Sequence, residues 1–275
     1  METKAHAKVN LGLWVIGQRP DGYHSLLTVL HLVELHDELS ITPSDSLRVI
    51  CGPDLSGPAN LAHKAVEGLG RLTGKPPGVQ VDIRKNIPVG GGLGGGSADA
   101  GAVLRALGPG LPREKLLELA AELGSDVPFF ASGMRVALAA GRGEKVQEVE
   151  SALKASLLLY VPRAGVDTGQ AYAMLRKERA YVDETTARKQ CEAVLSGLRA
   201  GDLHALGRGL FNSFEGVVFR DRPELARARD RLLGMGAVAA LLSGSGGVVY
   251  GLFPEDANLP DEPPGDGKWT RTRLL

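Results

Sequence analysis

A chain of 275 residues, 43% hydrophobic and 23% charged, has ordinary globular composition and room for one large domain or two of usual size. Its 32 basic and 32 acidic residues balance, which removes any overall attraction to nucleic acid or an anionic membrane, so affinity for phosphate has to be local. Cys51 and Cys191 lie far apart and outside any C-x-x-C, which excludes a disulfide framework or cysteine zinc site and fits a reduced, cytoplasmic setting.

Met1 to His6 leads straight into strand-like sequence, without the apolar stretch a secretory signal needs. Ala5, Ala7, Val9, Leu11 and Leu13 alternate with His6, Lys8, Asn10 and Gly12, which predicts a strand with one apolar face. Lys8 and Asn10 share the other face. They are either the solvent side of an edge strand or an ammonium and an amide held beside a reaction centre. Gly17 to Ser25 is a turn around Pro20-Asp21-Gly22, and Tyr23 and His24 follow it. Such a pair is either half-buried packing or equipment for stacking on a flat heterocycle and bonding to its edge. Leu26 to Thr42 continues as strand, with His31 and His36 five apart and read as no metal pair. Asn60 reads as the N-cap of a helix running to Leu69.

After a strand-like Val79 to Ile83 comes Pro88-Val89-Gly90-Gly91-Gly92-Leu93-Gly94-Gly95-Gly96-Ser97-Ala98, six glycines in seven positions. Without Cβ atoms this segment can take positive φ and turn N–H groups inward as a cradle for anionic oxygens. A helix from Ser97 to Leu107 follows, closed by Gly108-Pro109-Gly110, so the cradle adjoins the positive end of a helix dipole. Gly90, Gly92 and Gly95 also satisfy G-x-G-x-x-G, with Glu114 near the distance of a ribose-binding acid, a match that so many glycines produce by chance. No lysine follows the last glycine, so this is not a P-loop and its cation must come from elsewhere.

Pro112 to Leu123 predicts an amphipathic helix ended by Gly124, and Ser125-Asp126-Val127-Pro128-Phe129-Phe130 follows. Asp126 is either a cap or turn residue, or a carboxylate in a partly dry place beside a cation such as Lys8, suited to base duty. Arg135 to Ala140 and Glu144 to Val149 read as strands, and a boundary near Ser151 divides residues 1–150 from 151–275. Beyond it come a strand at Leu157 to Pro162 and helices at Asp167 onward, Glu184 to Arg199, Asp202 to Phe211 and Asp221 to Gly234. Strands at Ala237 to Leu242 and Val248 to Phe253 flank Ser243-Gly244-Ser245-Gly246-Gly247, a second small-residue loop able to close over the first. This apolar region is too interrupted for a membrane span. Pro254 to Asp266 reads as a surface loop before a last strand.

Taken together, the early strand, the Pro-x-Gly-Gly-Gly-Leu-Gly-Gly-Gly-Ser loop opening a helix and the late Ser-Gly-Ser-Gly-Gly loop resemble the GHMP kinase superfamily. Ala7-Lys8-Val9-Asn10-Leu11, Gly17 to His24, Pro88 to Ala98 and Gly124 to Pro128 resemble its branch acting on a cytidine-diphosphate-linked methylerythritol. The resemblance implies a two-domain α+β protein. Its N-terminal part would be like ribosomal protein S5 domain 2, and the rest like the GHMP kinase C-terminal domain. It further implies ATP-dependent phosphorylation of a 2-hydroxyl in the non-mevalonate isoprenoid route, with ATP on the Pro88 to Ala98 loop and a small molecule, not nucleic acid or membrane, as partner. By the same resemblance Asp126 is the base and Lys8 the lysine beside it. Tyr23 and His24 recognise cytosine, Tyr172 lies across that ring, Asn10 and Thr168 contact the substrate, and Asn60, Leu61 and Lys85 fall near adenine. Gly246-Gly247, where relatives carry a larger second residue, bears on substrate clearance. Mg²⁺ is implied by the nucleotide, its protein ligands unidentified.

Three alternatives stay in view. A GHMP kinase for homoserine or mevalonate gives no reason for Tyr23-His24 or Tyr172. An NAD-binding oxidoreductase needs a parallel-strand unit around Gly90 that the pattern lacks. An RNA-binding module needs a basic face, against the balanced charge.

Overall fold

Two long strands frame the molecule: β1 (Glu2–Gln18) and β2 (His24–Pro43) pair antiparallel about the Pro20-Asp21-Gly22 turn. The coordinates are a computed structural model that describes residues 1–52, 54–75, 78–259 and 267–275. On its other side β2 carries β5 (Val136–Gly141) along its first half and β4 (Val79–Arg84) along its second. β3 (Arg48–Ile50) adds parallel to β4, and β6 (Lys145–Glu148) completes the sheet outside β5.

Strict alternation in β1 does not survive. The register with β2 shifts between His6 and Lys8, between Asn10 and Gly12, and between Val15 and Gly17, and residues of both parities are buried. Lys8 is only 3% exposed and Asn10 2%, so the solvent-facing reading of that pair is wrong. The free edge of β1 is covered instead: Lys8 N donates to Leu93 O at 3.0 Å, and Leu13 N to Phe211 O at 2.8 Å.

Helix α2 (Gly95–Leu107) packs on β1 and β2, flanked by α1 (Leu61–Thr73) and a short α4 (Val127–Ser132), with α3 (Arg113–Leu123) against all three helices. The Asn60 side chain caps α1 as predicted, accepting from Ala62 N at 2.8 Å. The sequence reading missed α4 because Pro128 suggested a turn, whereas proline is tolerated in a first helical turn.

The second sheet is antiparallel throughout, in the order β10 (Gly267–Arg273), β7 (Ser156–Pro162), β9 (Val249–Phe253), β8 (Ala239–Leu242). Helix α9 (Pro223–Gly234) covers it, with α5 (Thr168–Glu178), α7 (Leu203–Gly209) and α8 (Glu215–Asp221) nearby. The sequence reading did not contain α8. Helix α6 (Glu184–Ala200) bridges back to β1 and β2. One apolar core joins the two sheets, and Tyr250 of β9 donates its hydroxyl to Asn10 O at 2.7 Å. Of the expected loop from Pro254 to Asp266, residues 260–266 lie outside the described residues. Among the described residues no helix is long and apolar enough to cross a membrane.

Candidate active site

A cavity of about 580 Å³ opens where β1 and β2 meet the β3–α1 segment, the β4–α2 loop, the start of α4, the β5–β6 turn, the start of α5, Phe214 and the β8–β9 loop. The glycine loop forms one wall, with Gly90, Gly92 and Gly94 at φ of 71°, 81° and 75°. Its glycines serve two ends. A side chain at Gly90 would meet nothing, so this position opens onto the cavity, while one at Gly92 would overlap the Ser243 carbonyl. The late loop therefore closes over the first, as expected. Val248 N donates to Gly91 O and the Ser243 hydroxyl to Gly92 O, both at 3.1 Å.

Pro88, Val89, Gly91, Gly95, Gly96 and Ser97 also line the cavity, whereas Leu93 and Ala98 of the same segment are buried in the core and do not. The N-cap Gly94 provides no side-chain bond, so the first N–H groups of α2 are left for a ligand. Gly247 does not line the cavity: a Cβ there would press on the Pro162 ring at 2.9 Å.

Lys8 and Asp126, 118 residues apart in sequence, meet at the cavity with Nζ to Oδ2 at 3.5 Å. The Lys8 side chain is nearly sealed at 4% exposed, while that of Asp126 is open at 33%. Asp126 occupies the N-cap position of α4 but makes no capping bond, so its carboxylate is available to Lys8 and to a ligand. Lys8 Nζ donates to Asn10 Oδ1 at 2.5 Å, Asn10 Nδ2 to Thr28 Oγ1 at 2.8 Å, and Thr28 Oγ1 to Gly12 O at 2.7 Å. This buried chain fixes which end of the Asn10 amide faces the ammonium; Thr28 was not anticipated.

The aromatic group differs from expectation. His24 and Tyr172 stand together, ring centroids 4.6 Å apart, with Phe214 edge-on to Tyr172 at 4.8 Å. Tyr23 and His24 both lie outside the lining, whereas Tyr172 and Arg142 reach the cavity; the Arg142 guanidinium covers the Tyr23 ring at 4.6 Å. Burial and the nearby Arg176 lower His24 from its ordinary value, favouring the neutral imidazole, while burial and the Asp126 charge push Tyr172 up to about 12. Thr168 opens α5 at the rim and accepts a hydrogen bond from Ser245 Oγ at 3.1 Å.

At the far end Asn60, Leu61 and Lys85 line the cavity together. Two partners of Lys85 escaped the sequence reading: its Nζ donates to Asp37 Oδ2 at 2.5 Å and to Asp99 Oδ2 at 2.7 Å. A carboxylate on the otherwise apolar stretch Ala98 to Leu104 was the available signal for a buried cation opposite it. Among the described residues no three His, Cys, Asp or Glu side chains are grouped to hold a metal ion. A Mg²⁺ ion bound here would share its ligands with the nucleotide's phosphates.

Comparison with known proteins adds to this geometry. Residues 60–134 match the model for the GHMP kinases N terminal domain, and residues 194–260 that for the GHMP kinases C terminal. The 4-diphosphocytidyl-2-C-methyl-D-erythritol kinase of Geobacter metallireducens is 40% identical over 263 residues, covering 92% of this chain and 89% of that one. Its namesake from Symbiobacterium thermophilum is 38% identical, covering 93% and 91%. A crystal structure of 4-(cytidine 5'-diphospho)-2C-methyl-D-erythritol kinase superposes with a TM-score of 0.80 at 36% identity, covering 100% of this chain and 99% of that one. The Methanococcus jannaschii mevalonate kinase, 15% identical with a TM-score of 0.71 and covering 100% and 98%, shares the fold.

Proposed function

This chain belongs to the GHMP kinase family, and from that premise we propose that it transfers the terminal phosphoryl group of ATP to the 2-hydroxyl of 4-diphosphocytidyl-2-C-methyl-D-erythritol. The observation that carries this reading is the meeting of Lys8 and Asp126 at 3.5 Å in a cavity walled on one side by the glycine loop and on another by Tyr172, whose ring His24 backs from outside the lining. We divide the chain into residues 1–150, bearing the glycine loop, and 151–275, bearing the loop that closes on it. A reaction that draws on ATP fits a cytoplasmic setting, as do two buried, unpaired cysteines.

Phosphoryl transfer asks the protein for alignment and for charge to meet the oxygens of the moving group. The glycine loop and the unsatisfied N–H groups of α2 supply donors for the nucleotide's phosphates. Asp126, exposed enough to be reached, orients the acceptor hydroxyl and takes its proton as the oxygen attacks. Lys8, sealed on the protein side by Asn10, meets the negative charge that gathers between donor and acceptor. Mg²⁺ carried by the nucleotide would add charge neutralisation. At the acceptor end a neutral imidazole against an aromatic ring suits the face and edge of a heterocyclic base.

The test is transfer of phosphate from ATP to the cytidine-linked acceptor, with mevalonate and homoserine as controls. Transfer to the cytidine-linked compound is the expected result. Transfer to either control alone rejects the reading.

A further inference from the structure

Gly95 and Asp99 lie four residues apart in α2, on one helix face, and the Lys85 ammonium rests along that face. Its Nζ is 2.7 Å from Asp99 Oδ2, and a Cβ at Gly95 would come within 3.3 Å of it. The cation thus stands at the first turn of the helix that faces the cavity, yet two carboxylates absorb its charge. Asp37 is saturated: it is fully buried, holds Lys85 with one oxygen, and accepts from Asn86 N and Ile87 N at 2.6 and 2.8 Å with the other. Asp99 is not. It lines the cavity at 1% exposure, and its Oδ1 is buried with no hydrogen-bond partner among the described residues. An ionised oxygen buried there without a protein donor is in a costly state that a proton on Oδ1 relieves. Two carboxylates against one ammonium leave the cluster with a net negative charge where a polyanion must approach. One proton makes it neutral.

On the reading of this cavity as a nucleotide site, we propose that Asp99 couples nucleotide binding to proton uptake: the nucleotide binds the form carrying a proton on Asp99 Oδ1, and the ionised form opposes it. The proton is drawn from solvent and no other bond changes. Burial raises Asp99 to about 7, Lys85 opposing and Asp37 adding, so both forms are present near neutral pH. Burial also pulls Lys85 down, but Asp99 and Asp37 more than offset this and hold it above its ordinary value, charged throughout. Beyond β3 the Cys51 thiol senses the same cluster, and burial pushes it up, leaving it neutral. Other elements packed on α2 carry Glu2, Lys4, His6 and Lys8 on β1, His24, His31, Glu34, His36 and Glu38 beside Asp37 on β2, His63, Lys64, Glu67 and Arg71 on α1, and Arg113, Glu114, Lys115, Glu118 and Glu122 on α3, while α4 carries none. The charges felt at Asp99 are those of Lys85 and Asp37.

The experiment is calorimetric titration of the whole chain with MgADP at about pH 8, well above the last phosphate ionisation near 6, in buffers of different ionisation enthalpy. The expected result is uptake of up to about one proton per ADP, with affinity falling as pH rises and approaching about tenfold per pH unit. Asp99→Asn, neutral and of the same shape, should abolish the uptake and bind ADP about tenfold more tightly than the parent chain at that pH. An infrared difference spectrum of the parent chain supplies a readout independent of the variant: a carboxylic-acid C=O band should appear on ADP binding. Binding without proton uptake, uptake retained in Asp99→Asn, or absence of the new band overturns this proposal while leaving the kinase reading intact. Failure of ADP to bind at all overturns both.

Discussion

Two consecutive glycines, Gly94 and Gly95, each lie against a lysine, and the two lysines live in opposite settings. A Cβ at Gly94 would come within 3.3 Å of Lys8 Cε, and one at Gly95 within 3.3 Å of Lys85 Nζ. Lys8 meets one carboxylate, loosely and at the cavity surface, and an amide behind it. Lys85 is held by two carboxylates at hydrogen-bond distance, both sealed from solvent. A cation that is to act on changing charge has to keep some of its field unspent, whereas one that organises a loop is best fully paired. The difference separates a reacting pair from a cluster that shapes and tunes the nucleotide end.

The sharpest way to break this comparison is to neutralise one carboxylate on each side. Asp126→Asn should lower kcat by about 10²–10⁴ with ADP affinity little changed, as for loss of a general base. Steady-state kinetics beside ADP titration checks it; unimpaired turnover would remove Asp126 from the chemistry. On the other side Asp37→Ala leaves Lys85 to Asp99 alone and strands two backbone N–H groups, and should cost about 1–3 kcal/mol of folding stability for each N–H left without an acceptor. Urea unfolding measures it, and a loss near zero would mean that Asp37 is no anchor.

Smaller perturbations sharpen the same contrast. Tyr23→Ala should raise the acceptor KM about tenfold and spare the nucleotide, because the Arg142 that covers its ring is the group reaching the cavity. Equal weakening of both ligands would mark Tyr23 as packing. Thr28→Val removes the acceptor that sets the Asn10 amide and should cut kcat about threefold to tenfold at constant KM, with Thr28→Ser restoring it.

The gentlest test is pH. Burial raises Asp99 from 3.8 to about 7, so between those values the folded chain holds a proton that the unfolded chain has released. Folding stability attributable to Asp99 is therefore full below the unfolded value and declines as pH rises through that window. The apparent Tm of the parent chain should fall by about a few degrees relative to Asp99→Asn between pH 4 and 7. A parallel course of the two would contradict the assignment.

Much of the active side was legible in residues alone. The glycine run announces close backbone approach, and the Ala7 to Leu11 and Gly124 to Pro128 motifs pointed to Lys8 and Asp126 by resemblance. The late loop was expected to close over the first; what the residues could not reveal is which glycine admits it, Gly92 leaving room for Ser243 rather than for a ligand. Period-two alternation likewise hid the shifts in β1 that bury both faces and carry Lys8 inside. The Lys85 cluster was least visible, because Asp37, Lys85 and Asp99 are brought together only by the pairing of β2 with β4 and the packing of α2 on the sheet. Ion pairs across strands leave no spacing to read.

The most direct measurement is phosphorus NMR of the acceptor after incubation with ATP and either the parent chain or Asp126→Asn, both shown beforehand to bind ADP. The parent chain should yield a new phosphomonoester on the 2-hydroxyl of the cytidine-linked acceptor, and the variant almost none in the same time. Equal product from the two, or a phosphate placed on any other hydroxyl, would contradict the claim that Lys8 and Asp126 meet at the reacting oxygen.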